Sequence, residues 1–252
     1  MNYNTMKTIS DFTEANYAAM LKQAARRFRV MPVREATTLR SKGESGIAAW
    51  RHDIDFSPHR ALSFARIEAK SNVKSSYYVL LNGAFYNPLE KAIMEILQEI
   101  RSLGHTIGLH FDASLTHVDL EERVTMEANL LSSISGYRVE CISIHNPGVN
   151  YPLSLKRPQI CGLFNASLDE LRNMFVYSSD SNGYWRYRPM PEVIDDSSVE
   201  NIYTLTHAEW WTHEAMTPAK RLSRCIDGRA KAVAADYQSF IRTHRSEALA
   251  DV

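Results

Sequence analysis

Cysteine is scarce in this chain: Cys141, Cys161 and Cys225 are its three thiols, scattered and without a CxxC spacing. That excludes a disulfide framework and a thiolate zinc site, and it suits a reducing compartment. An excess of one charge is also lacking. Lys plus Arg and Asp plus Glu both number 29, for a formal net charge of zero. No strong field therefore draws in nucleic acid or an anionic membrane, and a neutral or locally recognised substrate fits better. No run approaches the roughly 20 apolar residues that span a bilayer. The start, MNYNTMKTISDFTEANY, has no apolar stretch behind a basic end as a secretory signal would. A soluble, cytoplasmic protein is expected. Repeats, low-complexity tracts and linkers are missing too, so one domain is expected over residues 1–252: a lead-in helix and connection (1–45), a motif-bearing body (46–212) and a C-terminal helix (213–252).

What is present is a regular alternation. With 252 residues and 44% hydrophobic content, the chain can bury a large core and falls within the usual range of a single α/β barrel. Phe12, Tyr17, Met20, Leu21 and Ala24 have helical spacing behind Ser10 and Asp11, which can cap a helix. AAWRHDID then reads as a strand, 58–70 as a helix, SSYYVLL as a strand and 88–103 as a helix stopped by Gly104. TIGLHF, a helix over 118–134 and VECISIH follow, the last running into the loop NPG. CGLFNAS, MFVYSSDS and NIYTLTH read as further strands, with a long loop over 183–198, and a helix over 217–245 closes the chain. Strands alternating with helices imply parallel βαβ units, hence a barrel or open sheet whose working residues lie at the carboxyl ends of the strands.

Four predicted strands end in metal-binding or acid–base residues: Asp53 and Asp55, His110, His145, and His207. A single strand-end Asp or His is usually a cap or a loop hydrogen bond; four on one rim weaken that reading. Asp53 and Asp55 are two residues apart and point to one side of a strand, so one can ligate a cation while the other acts as a base. His110 and His145 with Asp55 would make a two-histidine, one-carboxylate set with coordination positions left open. By the same alternation His52 points away from Asp53, and His52 and His105 are expected to be structural. His59, in the first turn after Asp55, is a weaker candidate ligand or partner. Trp210 and Trp211 can offer an aromatic face to a sugar, although paired tryptophans are more often core. His117, His213 and His244 lie in polar contexts and receive no role.

Across residues 45–212 the motifs RHDID (51–55), GHTIGLHFD (104–112), SIHNPG (143–148), YSSDSNGYW (177–185) and LTHAEWW (205–211) resemble those of the polysaccharide deacetylases of the NodB-homology type, carbohydrate esterase family four. The resemblance implies a distorted (β/α) barrel of about seven parallel strands. It also implies removal of an N-acyl group from a sugar with a divalent metal, zinc being the first choice. Asp53 would be the catalytic base and Asp55 a ligand; His207 would be the general acid oriented by Asp180, and Trp185, Trp210 and Arg186 would contact substrate. Two departures stand out. The family's second histidine is Ser114 here, with His145 favoured over Asp112 as the replacement ligand, and the arginine of the third motif is absent, leaving Arg51 or Arg186 to orient the base. An N-acyl sugar precursor of surface polysaccharide synthesis (O-antigen, lipopolysaccharide) is the expected substrate. A non-catalytic glycan-binding homologue and a non-haem iron enzyme are the alternatives; oligomeric state is left open.

Overall fold

A computed structural model of the protein describes residues 11–114, 119–147 and 155–244. His117 and Gly148 lie outside the described residues, as do the first ten positions, the first residue of the helix expected from 118, the side chain of His244 and everything beyond it. Nine strands form one sheet: β1 (Arg29–Met31), β2 (Ile47–Ile54), β3 (Ser76–Leu80), β4 (Thr106–Phe111), β5 (Cys141–Ile144), β6 (Gln159–Ile160), β7 (Leu163–Asn165), β8 (Val176–Ser179) and β9 (Asn201–Thr206). The helices are α1 (Glu14–Arg27), α2 (Val33–Ser41), α3 (Pro58–Lys70), α4 (Lys91–Ser102), α5 (Leu120–Ser135), α6 (Leu171–Met174), α7 (Met190–Asp195) and α8 (Pro218–His244).

The strand order is β6-β7-β5-β4-β3-β2-β9-β8, with β1 beside the first residues of β2. Every pairing is parallel except the β6–β7 hairpin. The sheet curls into an open, barrel-like α/β fold, as expected; among the described residues its edges, β6 and β8, do not pair. Within CGLFNAS the strand is the short β7; Cys161 (φ 50°) and Gly162 (φ 77°) turn the chain through left-handed backbone and pair it with β6, just before the segment.

Strand alternation divides the core in two. Ile47, Ala49, Tyr78 and Tyr203 fill the inside of the curl. Ala48, Trp50, Tyr77, Val79 and Ile202 face outward under the helices. All eight positions of β2 are buried, as a parallel strand covered on both faces requires. Its inward file runs Ile47, Ala49, Arg51, Asp53, apolar at the floor and charged at the carboxyl end. Gly108 of β4 is also inward, and a Cβ there would meet the Tyr78 ring at 2.5 Å, so only glycine lets that ring lie across the floor.

Helix ends follow local chemistry. Ser57 caps α3 by accepting from Arg60 N at 3.3 Å, with Pro58 in its first turn, which releases Asp55 from capping duty. Thr13, rather than Asp11, caps α1, accepting from Asn16 N at 3.2 Å; Ser10 lies outside the described residues. On the outer side of β2, His52 joins a buried cluster about the Glu68 carboxylate. That carboxylate accepts from Ser75 Oγ and Tyr77 OH at 2.6 Å each, from His52 Nε2 at 2.7 Å, and from Tyr17 OH. His105 lies against the same cluster, 3.5 Å from Glu68, and contacts the Ala65 carbonyl oxygen through Nε2 at 3.0 Å. His52 and His105 are thus packed in the outer core, away from the inward file that carries Asp53.

Candidate metal and catalytic site

The charged end of the inward files opens into a cavity of about 410 Å³ lined by Asp53, Asp55, His110, His145 and His207. Each arrives from a different place in the chain. Asp53 ends the inward file of β2, Asp55 lies just past it, His110 is on β4, His145 follows β5 and His207 follows β9.

One donor atom each from Asp55, His110 and His145 falls within 4.8 Å of the others. His110 pairs in register with Ser143 of β5, whose Oγ lies 2.7 Å from His110 Nδ1, so Nε2 faces Asp55 Oδ1 at 3.2 Å. Asp55 Oδ1 and His145 Nδ1 are buried atoms without a hydrogen-bond partner. Donor atoms from three side chains gathered this closely, two of those side chains holding a buried atom that makes no hydrogen bond, fit a divalent cation. Burial alone would raise the pKa of Asp55, but the His110 imidazole facing it at 3.2 Å, with His207 and His145 nearby, brings it below the ordinary carboxylate range. The fit leaves His110 Nδ1–H to donate to Ser143, the outer contact that orients a ligating imidazole.

Asp53 lies beside this cluster, Oδ2 being 3.6 Å from His110 Nε2. Arg51, on the same face of the same strand, grips it at two points, Nε donating to Oδ1 at 2.8 Å and Nη2 to Oδ2 at 2.7 Å. Its Nη1 donates to Ala166 O at 3.1 Å and Tyr203 OH at 3.2 Å. The Asp53 carboxyl is depressed in spite of its burial, because the charges of Arg51 and His110 outweigh desolvation.

On the far side, Asp180 lies just beyond β8 and accepts from His207 Nδ1 at 2.7 Å, from His207 N at 3.0 Å and from Trp211 Nε1 at 2.7 Å. His207 Nε2 is thereby turned to the cavity, 3.9 Å from Asp55 Oδ2. Burial would lower the His207 pKa; the bond and charge of Asp180, with Asp55 and Glu209, push it up to about 10. Glu209 is buried, with neither carboxyl oxygen hydrogen-bonded, and desolvation together with the charge of Asp55 raises its pKa well above the usual value.

Several expected substrate contacts fall elsewhere. Trp185 packs against Phe12 and Trp211, with ring centroids 5.1 and 5.9 Å away, and does not line the cavity. Trp210 is buried with its ring against Gly183, again outside the cavity. Both lie among the apolar residues of the outer core because the chain turns sharply after Asp180 and His207, carrying these rings away from the rim. Arg186 does line the cavity, and Tyr177, Tyr187, Tyr203 and Arg172 form the aromatic and cationic wall beside it. Tyr177 opens the motif that runs to Trp185, while no local pattern marks Tyr187, which the turn after Asp180 brings beside the Tyr177 ring at 5.4 Å. His59 is exposed and away from the cavity. Asp112 approaches His145 at 3.5 Å, but its Oδ1 is taken up by Ser114 N at 2.8 Å, so Ser114 secures a neighbouring loop instead of offering a ligand.

No family model and no curated protein matches the chain. Among solved structures it is similar to the chitin deacetylase of Colletotrichum lindemuthianum, at 14% identity over 74% of this chain and 83% of that one, with a TM-score of 0.43. It is also similar to the peptidoglycan deacetylase PdaC of Bacillus subtilis, at 14% identity over 79% and 96%, with a TM-score of 0.41. A family 4 carbohydrate esterase from Bacillus anthracis aligns at 14% identity over 73% and 76%, with a TM-score of 0.38. These belong to the family that the five motifs resemble. Such distant likeness carries no site residue across, and the chemistry below is argued from this chain's own geometry.

Proposed function

We propose that this protein is a metal-dependent hydrolase that removes an N-acyl group from a sugar. The observation that carries the reading is the convergence of three strand-end donors, Asp55, His110 and His145, flanked by Asp53 on one side and His207 on the other. Nitrogen and oxygen donors with open positions favour zinc. A divalent cation there would polarise an amide carbonyl and acidify a water. Asp53, held at two points by Arg51, accepts a proton from the attacking water. His207 Nε2–H donates a proton to the departing amine, which leaves poorly without one, while Asp180, itself anchored by Trp211, accepts from Nδ1–H and keeps the ring protonated.

The cavity wall of Arg172, Arg186 and Tyr187 suits a sugar carrying an anionic group, such as the phosphate of an activated precursor in surface polysaccharide synthesis. The three cysteines are free, which suits a reducing cytoplasm. No helix among the described residues is long and apolar enough to cross a membrane.

Elemental analysis of purified protein beside His110→Ala and His145→Ala tests the metal site, with acetate release from N-acetyl sugars as the second readout. Near-stoichiometric metal that both substitutions remove is expected. Metal retained in His145→Ala would move the third ligand elsewhere; no uptake even after reconstitution would sink the hydrolase reading in favour of a non-catalytic glycan-binding protein.

A further inference from the structure

A neutral imidazole carries its proton on one ring nitrogen and keeps a lone pair on the other, so the group that occupies one nitrogen decides which is left for a cation. For His110 that group is Ser143, whose Oγ lies 2.7 Å from Nδ1 and leaves Nε2 facing Asp55. His145 carries the opposite signature. Its Nε2 lies 2.9 Å from Asn146 Nδ2, while its Nδ1 is buried and makes no hydrogen bond. Asp112 Oδ2 stays 3.5 Å from that Nδ1 without bonding to it.

The backbone that makes this contact is an uncommon one. Asn146 has φ 42°, in the left-handed region, and stands directly before Pro147, a neighbour that pushes the preceding residue toward extended backbone. Asparagine is one of the few residues besides glycine that enters the left-handed region readily. Burial does not impose the conformation, since Asn146 is exposed; in it, the amide lies back against the ring of its predecessor. The His145 backbone N–H meanwhile donates to the Phe111 carbonyl oxygen at 2.9 Å, so the residue is held from the β4 side as well.

We infer that Asn146 is a positioning residue for the metal site: its amide oxygen accepts from His145 Nε2–H and leaves the Nδ1 lone pair to the cluster, so that His145 ligates through Nδ1 where His110 ligates through Nε2. The two ends of the Asn146 amide have the same outline, and turning it over sets Oδ1 against Nε2. With Nδ2–H there instead, the Nε2 lone pair is taken, the proton moves to Nδ1, and the ring has no nitrogen left for a cation. Ligation through Nε2 would require the cation to displace Asn146 and would leave a buried Nδ1–H with only Asp112 at 3.5 Å.

This rests on the metal reading of the cluster, and the test separates the two. Zinc affinity is measured by competition with a chromogenic chelator for the full chain, wild type beside Asn146→Ala and Asn146→Gly. The ring nitrogens of the zinc-loaded wild type are read by NMR with 15N-labelled histidine, His145 being assigned by difference from His145→Ala. Both Asn146 substitutions should weaken zinc binding about ten- to a hundredfold, the scale for removing the outer partner of a ligating histidine. The spectrum should show His145 with a protonated Nε2 and a metal-bound Nδ1. Glycine is the decisive variant, because it eases the positive φ and removes the amide. Wild-type affinity in Asn146→Gly would reduce Asn146 to a backbone role and overturn the proposal with the metal site intact, as would a metal-bound Nε2. A wild type that takes up no zinc would overturn the metal reading and this proposal together.

Discussion

Arg51 stands two residues before Asp53 on the inward file of β2 and holds its carboxylate, the base of the proposed reaction. Its guanidinium is planar and meets both carboxylate oxygens, so a lysine keeps the charge but loses the two-point geometry. Arg51→Met should lower kcat for acetate release by about a hundredfold, the scale associated with misplacing a reacting group, with KM little changed. Arg51→Lys should restore part of that loss, and both variants should keep wild-type metal content. Metal lost in step with activity would show that Arg51 supports the metal cluster instead of positioning the base. On the opposite wall the same logic gives Trp211 a place as the donor that anchors Asp180, a task for the indole N–H that its burial had hidden behind the expectation of sugar stacking.

Among the elements, β2 carries function on one face and stability on the other. Outward-facing His52 ties it to the Glu68 cluster on α3, where burial opposes ionisation but the charge and hydrogen bond of His52 and the nearby His105 bring the Glu68 pKa down to about 2 from a usual 4.5. A carboxyl depressed by folding stabilises the native state fully above its unfolded pKa, and that contribution disappears as pH falls through the folded value. Urea midpoints of the wild type should therefore fall between about pH 4.5 and pH 2. Glu68→Gln, which places amide hydrogens against hydroxyl donors, should cost about 3 kcal/mol at neutral pH and flatten that acid limb. An unchanged midpoint in Glu68→Gln would remove the cluster from the stability of β2.

The legibility of the elements follows from how local their causes are. Strands β2 to β5 and helices α3, α4, α5 and α8 were readable because their periodicity, breakers and caps lie within their own residues. Helix α2 follows a three-residue strand too short to register as a pattern, and α7 lies within 183–198, which read as loop because its six residues follow Pro189 and a polar stretch. At the site, the four strand-end motifs and the side to which Asp53 points were visible in spacing. Glu68, Glu209 and Tyr187 were not, since what distinguishes them is burial or proximity created by distant segments. Trp185 and Trp210 misled for the same reason: their positions next to motifs say nothing of the turn that carries their rings into the outer core.

At the scale of the whole molecule, the proposed metal site draws on segments that are far apart in sequence, with Asp55 on the β2 side and His145 beyond β5. A ligand bound by the folded state alone stabilises it, by about 2.7 kcal/mol at a hundredfold excess over Kd. For a chain of this size that corresponds to a rise in Tm of roughly 5–10 °C. Zinc added to metal-stripped protein should produce such a rise by calorimetry, and His110→Ala should abolish it. An equal rise in the variant would place the binding outside this cluster.

The unpaired edges of the sheet have a further consequence. Where a closed barrel would carry a ladder, this molecule has a clasp: the Ala166 carbonyl, just past β7, accepts from both Arg51 Nη1 and Tyr203 OH, at 3.1 and 2.6 Å. The guanidinium that grips Asp53 is thus also a fastener between the two ends of the curl. Whatever widens the mouth pulls on the same side chain that aims Asp53, so under the proposed reaction the width of the opening and the aim of the base are set together.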